Sequence, residues 1–185
     1  MINRKLYKTE LDGEQATLEI SELANQANAA VIGRHGGTAV LAAVVMGEKE
    51  KDTDYFPLTV DYEERFYAAG KIIGSRFIRR EGRPSDEATL SARLIDRTIR
   101  PLFNERFRRE VQVVVTVLAY DEKNDPDAIA LLSVSTALGI SNIPWAGPVA
   151  GVKFQKKDAN GNLIYQGFFS GPENKINMIE FEGTE

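Results

Sequence analysis

The sequence predicts an α+β domain in which two helices pack over a mixed β-sheet, and three observations indicate this class. Short runs rich in β-branched residues alternate with turn signals along much of the chain. Two segments, 86–100 and 126–139, instead begin at helix-capping residues and continue with helical patterns. Strands and helices follow in the order strands, helix, strand, helix, strands, which favours α+β over a regular α/β alternation. A chain of 185 residues with 43% hydrophobic content fits a single domain, 1–185.

The first part of the chain is predicted to form strands joined by glycine turns. Segments 5–11 and 16–20 flank Asp12-Gly13 as a hairpin, and segments 29–32 and 38–46 flank Gly36-Gly37. The run 39–45 is apolar throughout, so we expect this strand to be covered on both faces. The charged segment 48–54 is interpreted as a solvated turn, and 57–62 resumes a strand.

The first predicted helix has clear start and stop signals. Ser85 follows Pro84 as an N-cap, acids occupy the first turn, and Pro101 ends a helix expected over 86–100. At about 100° per residue, one arc is apolar and the opposite arc is basic. The apolar arc contains Ala88, Ala92, Ile95 and Ile99, and the basic arc contains Arg93, Arg97 and Arg100. Asp96 is within reach of Arg93 and Arg100, so we expect it to hold both guanidinium groups in place.

The second part of the chain continues with a strand at 111–118 and a helix that begins at Asp125-Pro126-Asp127 and runs through about Gly139. Small residues in this helix predict a close approach to the sheet. Ser133 and Ser135 are interpreted as packing residues, because neither has a neighbouring base in sequence. Segments 149–154, 163–166 and 176–181 predict a β-meander with a turn at 158–161.

The run 71–109 contains most of the chain's arginines, whereas the whole chain has a net charge of −4. A local basic patch on an acidic body indicates one polyanion site. Within it, 74–84 is rich in glycine and arginine and places Phe77 beside Arg79 and Arg80, which is typical of a loop that binds single-stranded nucleic acid. The alternatives are a solvated helix face with ordinary ion pairs and a surface loop with Phe77 folded onto the core.

The composition excludes several other classes of site. The chain has no cysteine, and His35 is its only histidine, so thiolate metal sites and multi-histidine zinc sites are excluded. His35 is interpreted as a turn residue. Glu63 and Glu64 are adjacent on a strand and should point to opposite faces, so they are not expected to share a metal ion. No apolar run has the length of a membrane span and the N-terminus has no signal-peptide core, which favours a cytoplasmic protein.

The block PLTVDYEERFYAAGKIIGSRFIRREGRPSDEATLSARLIDRTIRPLF, from Pro57 to Phe103, resembles the first core domain of the bacterial polynucleotide phosphorylase family. The likeness continues more loosely to the end of the chain. It implies the RNase PH fold, which is related to the second domain of ribosomal protein S5. It also implies that the chain is an N-terminal fragment that lacks a closing helix and the later domains of a longer enzyme.

The resemblance further implies a function. The family degrades mRNA from the 3′ end, using inorganic phosphate and releasing nucleoside diphosphates. The full-length enzyme is expected to be a homotrimer that binds single-stranded RNA and joins RNA-degradation complex partners. Mg²⁺ and the catalytic residues are expected in a second core outside this chain, so no catalytic residue and no metal ligand are predicted here.

The resemblance assigns two groups of site residues. The residues expected to bind RNA are Phe77, Ile78, Arg79, Arg80 and Arg83, and those expected to line the active centre are Arg93, Arg97 and Arg100. Two positions depart from the family pattern: Ile78 replaces a second aromatic residue, and Thr98 stands where proline is common. Two alternatives stay open, namely a non-catalytic RNA-binding or ring-scaffold module and a structural domain whose arginines pair with its own acids.

Overall fold

A computed structural model describes residues 4–11, 13–72, 82–157, 163–171 and 177–181 of the chain. The described residues form a six-stranded sheet in the order β1-β2-β3-β4-β6-β5 and a separate three-stranded sheet, β7-β8-β9. All neighbouring strands are antiparallel except β5 and β6, which are parallel. The strands are β1 (Arg4–Leu11), β2 (Glu14–Ser21), β3 (Ala29–His35), β4 (Thr38–Glu50), β5 (Leu58–Glu63), β6 (Arg109–Ala119), β7 (Ala150–Lys157), β8 (Leu163–Gly171) and β9 (Asn177–Phe181).

Two α-helices complete the fold, α1 (Asp86–Ile99) and α2 (Pro126–Ile140). Short 3₁₀ helices cover Glu22–Ala24, Phe66–Ala69 and Arg100–Leu102. Helix α1 packs on β5, and α2 packs on β3 and β4. The predicted α+β class, with a mixed sheet and two main helices, is therefore confirmed.

The first hairpin follows from local signals. Strand β1 pairs with β2 from Arg4 opposite Ser21 to Leu11 opposite Glu14. Gly13 has φ +77°, a conformation that glycine adopts at no steric cost. The predicted hairpin between 5–11 and 16–20 is confirmed by this pairing, and Asp12 lies outside the described residues.

Strand β4 is longer than predicted, and the prediction of a solvated turn over 48–54 is wrong at its start. The strand continues to Glu50, which pairs with Arg109 of β6. Beyond it, Lys51 Nζ lies 2.8 Å from a carboxylate oxygen of Glu110. Long-range pairing with β6 thus keeps these charged residues extended, although their composition favours a loop.

Within the described residues, one face of 39–45 is fully buried and the other only partly, so the prediction that both faces are covered is wrong towards the end of this run. Val40, Ala42 and Val44 are buried beneath the helices. Leu41 and Ala43 on the opposite face are half-buried, and Val45 is exposed. Apolar residues on both faces of a strand therefore did not require two helix layers here.

Helix α2 lies between the two sheets, since it packs on β3 and β4 and also on β7. Gly33 of β3 permits the close approach, because a Cβ there would lie 2.0 Å from Ser133 Oγ. Ser133 donates to the Ile129 carbonyl at 2.7 Å, and Ser135 Oγ accepts from Val149 N at 2.9 Å. The prediction that both serines serve packing is confirmed.

The second sheet is the predicted meander, in which β7 and β8 extend beyond the predicted segments and β9 covers all but the first residue of 176–181. The turn predicted at 158–161 lies outside the described residues. Strand β7 ends before it at Lys157, and β8 begins after it at Leu163. Among the described residues, no helix is long and apolar enough to span a bilayer.

Candidate nucleic-acid interface

The start of α1 is fixed by Ser85, as predicted. Its Oγ accepts from Ala88 N at 2.9 Å and donates to Glu64 Oε2 at 2.7 Å. One hydroxyl therefore caps the helix and ties it to the segment that follows β5. Asp86 and Glu87 occupy the first turn, where the helix dipole favours acids.

Arg93 and Arg97 lie one turn apart on α1, and both are exposed. Within the described part of the chain, neither forms an ion pair. On the opposite face Ala88, Ile95 and Ile99 are buried as predicted, together with Leu94 and Thr98. The helix thus presents two guanidinium groups to its surroundings on a rigid, buried support.

Arg100 differs from the other two arginines because its guanidinium is bound within the protein. It forms a forked pair with Asp96, with Nε–Oδ2 at 2.9 Å and Nη2–Oδ1 at 2.6 Å. It also donates to the carbonyls of Phe56 and Leu58, each at 3.2 Å, and lies over the Phe56 ring. Asp96 holds Arg100 as expected, but its expected pair with Arg93 is not formed. Arg100 therefore joins the end of α1 to the start of β5.

A cleft of about 830 Å³ opens beside the start of α1. Its walls are the 3₁₀ helix Phe66–Ala69 and the first turns of α1, and its floor combines the ends of β5 and β6 with the start of α2. Of the residues that the resemblance predicts to bind RNA, Arg83 lies within the described ranges. It is exposed at the rim of the cleft. The sequence did not predict this cleft, because its walls come from segments far apart in the chain.

Tyr62 lines the cleft floor and is only 3% exposed. Its hydroxyl oxygen is buried without a partner in hydrogen-bonding geometry. Burial raises the pKa of Tyr62 well above its ordinary value, and the nearby Asp127 carboxylate raises it further. The phenol is therefore a neutral, buried polar group beside the N-terminus of α2.

Glu63 and Glu64 point apart, as predicted. Glu63 accepts from Arg65 at 2.5 Å and from Thr116 at 3.1 Å, whereas Glu64 accepts from Ser85 in the cleft. The described residues include no group of three or more acidic or histidine side chains that could hold a metal ion.

Asp121 organises the loop between β6 and α2, a role not predicted from the sequence. Its carboxylate accepts from Gly37 N at 2.8 Å, Thr38 Oγ1 at 2.9 Å and Asn124 N at 2.8 Å. Hydrogen bonds from the Asn124 backbone, above all, hold the pKa of Asp121 far below its usual range. The sequence signal of this turn was Asp121 followed three positions later by Asn124. His35 lies at the end of β3 beside it, with Nε2 3.1 Å from the Leu11 carbonyl oxygen.

The remaining predicted RNA-binding residues, Phe77, Ile78, Arg79 and Arg80, lie outside the described residues. The described residues stop at Ile72 and resume at Gly82, and the nearby cations Lys71 and Arg83 both line the cleft. Of the predicted loop 74–84, the structure thus describes Gly82, Arg83 and Pro84.

Comparison with protein families identifies the chain. The model of the 3′ exoribonuclease family, domain 1, matches residues 14–144. The chain belongs to the 3′ exoribonuclease family. The match includes the six-stranded sheet from β2 onward, α1, α2 and the cleft between them.

Curated members of this family are similar to the chain along nearly its whole length. The polyribonucleotide nucleotidyltransferase of Exiguobacterium sibiricum is 48% identical over 98% of the chain, and that of Enterococcus faecalis is 52% identical over 100% of it. The chain spans only about a quarter of these relatives, 26% and 28% of their lengths. The resemblance to polynucleotide phosphorylase is confirmed, and the alignment concerns one part of a longer enzyme.

A solved structure agrees on the fold. Rice Rrp46 superposes with a TM-score of 0.62 at 14% identity, covering 99% of the chain and 82% of the rice protein. The predicted RNase PH fold of the 3′ exoribonuclease family is confirmed.

Proposed function

We propose that the chain is the RNA-binding first core domain, residues 1–185, of a phosphorolytic 3′-to-5′ exoribonuclease. The observation that carries this proposal is the near 50% identity to polyribonucleotide nucleotidyltransferases across essentially the whole chain. The exposed Arg93 and Arg97 support it, because guanidinium groups on a rigid helix that pair with no described acid suit phosphate contacts.

The proposed contribution of this domain is to hold single-stranded RNA. Phe77, Ile78, Arg79, Arg80 and Arg83 guide the strand, and Arg93 and Arg97 contact its phosphates near the active centre. Arg100 has a different geometry, since its donors meet Asp96 and two strand carbonyls. We propose that Arg100 lines the active centre only indirectly, by fixing α1 against β5.

The reaction of the full-length enzyme is the attack of inorganic phosphate on the terminal phosphodiester. The new P–O bond forms as the bond to the preceding 3′ oxygen breaks, so a nucleoside diphosphate leaves and the shortened RNA keeps a 3′ hydroxyl. We place this step outside the chain. The N-terminus of α2, a position suited to a phosphate, is capped by Asp125 and carries Asp127 in its first turn, and both carboxylates repel an anion.

Mg²⁺ would supply charge stabilisation for that step. The described side chains do not fit such an ion, because they include no group of three or more candidate ligands. We therefore place the metal ligands outside the chain as well. Trimer assembly, a cytoplasmic location and RNA-degradation complex partners are further parts of the proposal.

An activity assay tests the division of labour. The purified chain, mixed with poly(A), inorganic phosphate and Mg²⁺, should release no ADP, whereas the full-length Enterococcus faecalis relative should release it under the same conditions. Phosphorolysis by the chain that persists through repeated purification would contradict the placement of catalysis elsewhere. Absence of RNA binding by the chain would favour the purely structural alternative.

A further inference from the structure

We propose that the cleft beside α1 is a pocket for one unpaired nucleobase of the bound RNA. The inference rests on the proposed RNA binding and adds a second kind of contact, base recognition, to the phosphate contacts of the arginines. Three independent properties of the cleft support it: its size and walls, its buried phenol, and the arrangement of its charges.

The cleft has the size and lining of a ligand site. About 830 Å³ falls within the range of pockets for small organic molecules and leaves room for a base and its ribose. Phe66, Leu90 and Tyr120 line it and are 36%, 48% and 41% exposed. Large apolar side chains held at a concave surface offer the flat contacts on which a base packs.

The floor of the cleft contains a buried hydroxyl, that of Tyr62, which lies near the Asp127 carboxylate but makes no hydrogen bond of good geometry. The Tyr62 hydroxyl is buried at the end of the cleft where Asp125 and Asp127 begin α2. A buried hydroxyl without a hydrogen bond is unfavourable, so a base that displaces the side chains covering the Tyr62 hydroxyl would give it a contact that the free protein lacks. The neutral phenol can either donate to a ring nitrogen or accept from an amino group.

The charges of the cleft orient a nucleotide. The cations Lys71 and Arg83 lie at the rim, and Arg83 pairs with no acid among the described residues. The acids Asp125 and Asp127 lie at the floor. The other charged lining residues are engaged elsewhere or face solvent: Arg65 pairs with Glu63, Lys123 pairs with Glu14, Glu64 accepts from Ser85, and Glu87 is exposed. The phosphate of a bound nucleotide is therefore expected to stay at the rim, beside the cations, while its base enters the cleft. The acceptors beside Tyr62 favour bases with an exocyclic amino group, such as adenine, over uracil.

The binding of short RNA to variants of the chain tests the proposal. The probes are fluorescein-labelled rA5, rU5 and rA5 with one abasic position, titrated by anisotropy. Tyr120→Ser should weaken rA5 binding at least about 5-fold, as expected for loss of a stacking surface. Tyr62→Phe, which removes only the hydroxyl, should weaken it about 3-fold and reduce the preference for rA5 over rU5. Neither variant should change the salt dependence.

The control variant is Tyr55→Ser. Tyr55 is a 67% exposed tyrosine before the start of β5, whereas the cleft lies beyond the other end of that strand. The Tyr55→Ser variant should bind rA5 with the same affinity as the unchanged chain. Melting temperatures identify any variant that fails to fold. A second test needs no substitution. The unchanged chain is titrated with adenosine and with uridine, and the NMR signals of the Phe66 and Tyr120 rings report binding.

The outcomes separate the two proposals. If rA5 binding depends on Arg93 and Arg97 but not on Tyr62, Tyr120 or the abasic position, and adenosine leaves the ring signals unchanged, the nucleobase pocket is refuted and the proposed RNA binding stands. If the unchanged chain binds no RNA at any salt concentration, both proposals are overturned.

Discussion

Arg97 and Arg100 are three positions apart on one helix and have opposite environments. Arg97 is exposed and unpaired among the described residues, whereas Arg100 makes a fork with Asp96 and donates to two carbonyls at the start of β5. The periodicity of the sequence placed both on a basic arc. The periodicity could not show that the carbonyls of Phe56 and Leu58 accept from Arg100 and not from Arg97.

This difference predicts different effects of the same conservative change. Arg100→Lys keeps the charge but loses the planar fork, so it should lower the free energy of unfolding by about 1 kcal/mol. Arg97→Lys should stay within about 0.5 kcal/mol of the unchanged chain. Urea denaturation measures both, and equal stabilities of the two variants would refute the structural role of Arg100.

Asp121 predicts a pH-dependent contribution to stability. Its folded-state pKa is held below the ordinary value of about 3.9, so its stabilising effect is present above that pH and declines as the pH falls further. Asp121→Asn should melt at a lower temperature than the unchanged chain at pH 7, and the gap should narrow below about pH 4. Thermal melts from pH 7 to pH 3 test this, and a gap that widens towards acid would contradict it.

At the scale of elements, the contact between α2 and β3 depends on Gly33. An added Cβ would lie 2.0 Å from Ser133 Oγ and 2.9 Å from Ile129 Cγ1. Gly33→Ala should therefore lower the free energy of unfolding by about 1–3 kcal/mol. Ser133→Ala removes the first obstacle, so the double variant should recover part of the loss. A double-mutant cycle in urea checks the coupling, and strictly additive effects would show that the two residues do not meet.

The elements that the sequence predicted best carry their own local signals. The caps at Ser85 and Asp125 and the glycine turn at Gly13 act within a few residues, so they were readable without tertiary information. The continuation of β4 through Glu50 depends on β6, more than fifty residues later in the chain. The 3₁₀ helix Phe66–Ala69 was missed, since it is held by a backbone bond from Tyr120 N to Ala68 O at 2.9 Å.

For the whole molecule, charge and resemblance supported the proposed function more than the geometry of the site did. A basic run on a chain of net charge −4 indicated a polyanion partner, and the family match agrees with that interpretation. The cleft was not predicted, because Tyr62, Leu90, Tyr120 and Asp127 come together only through the sheet order and the packing of both helices. Residue spacing alone contains no signal for such a site.

The central claim is that α1 presents phosphate-binding arginines to single-stranded RNA, and the salt dependence of binding tests it most directly. Arg93→Ala/Arg97→Ala removes two exposed cations from α1. Lys5→Ala/Lys8→Ala removes two exposed cations from β1, at the sheet edge opposite β5. The arginine variant should bind more weakly, and its plot of log K against log salt should be shallower by about 0.7 per lost contact. The lysine variant should match the unchanged chain. Equal slopes for all three proteins would contradict the account.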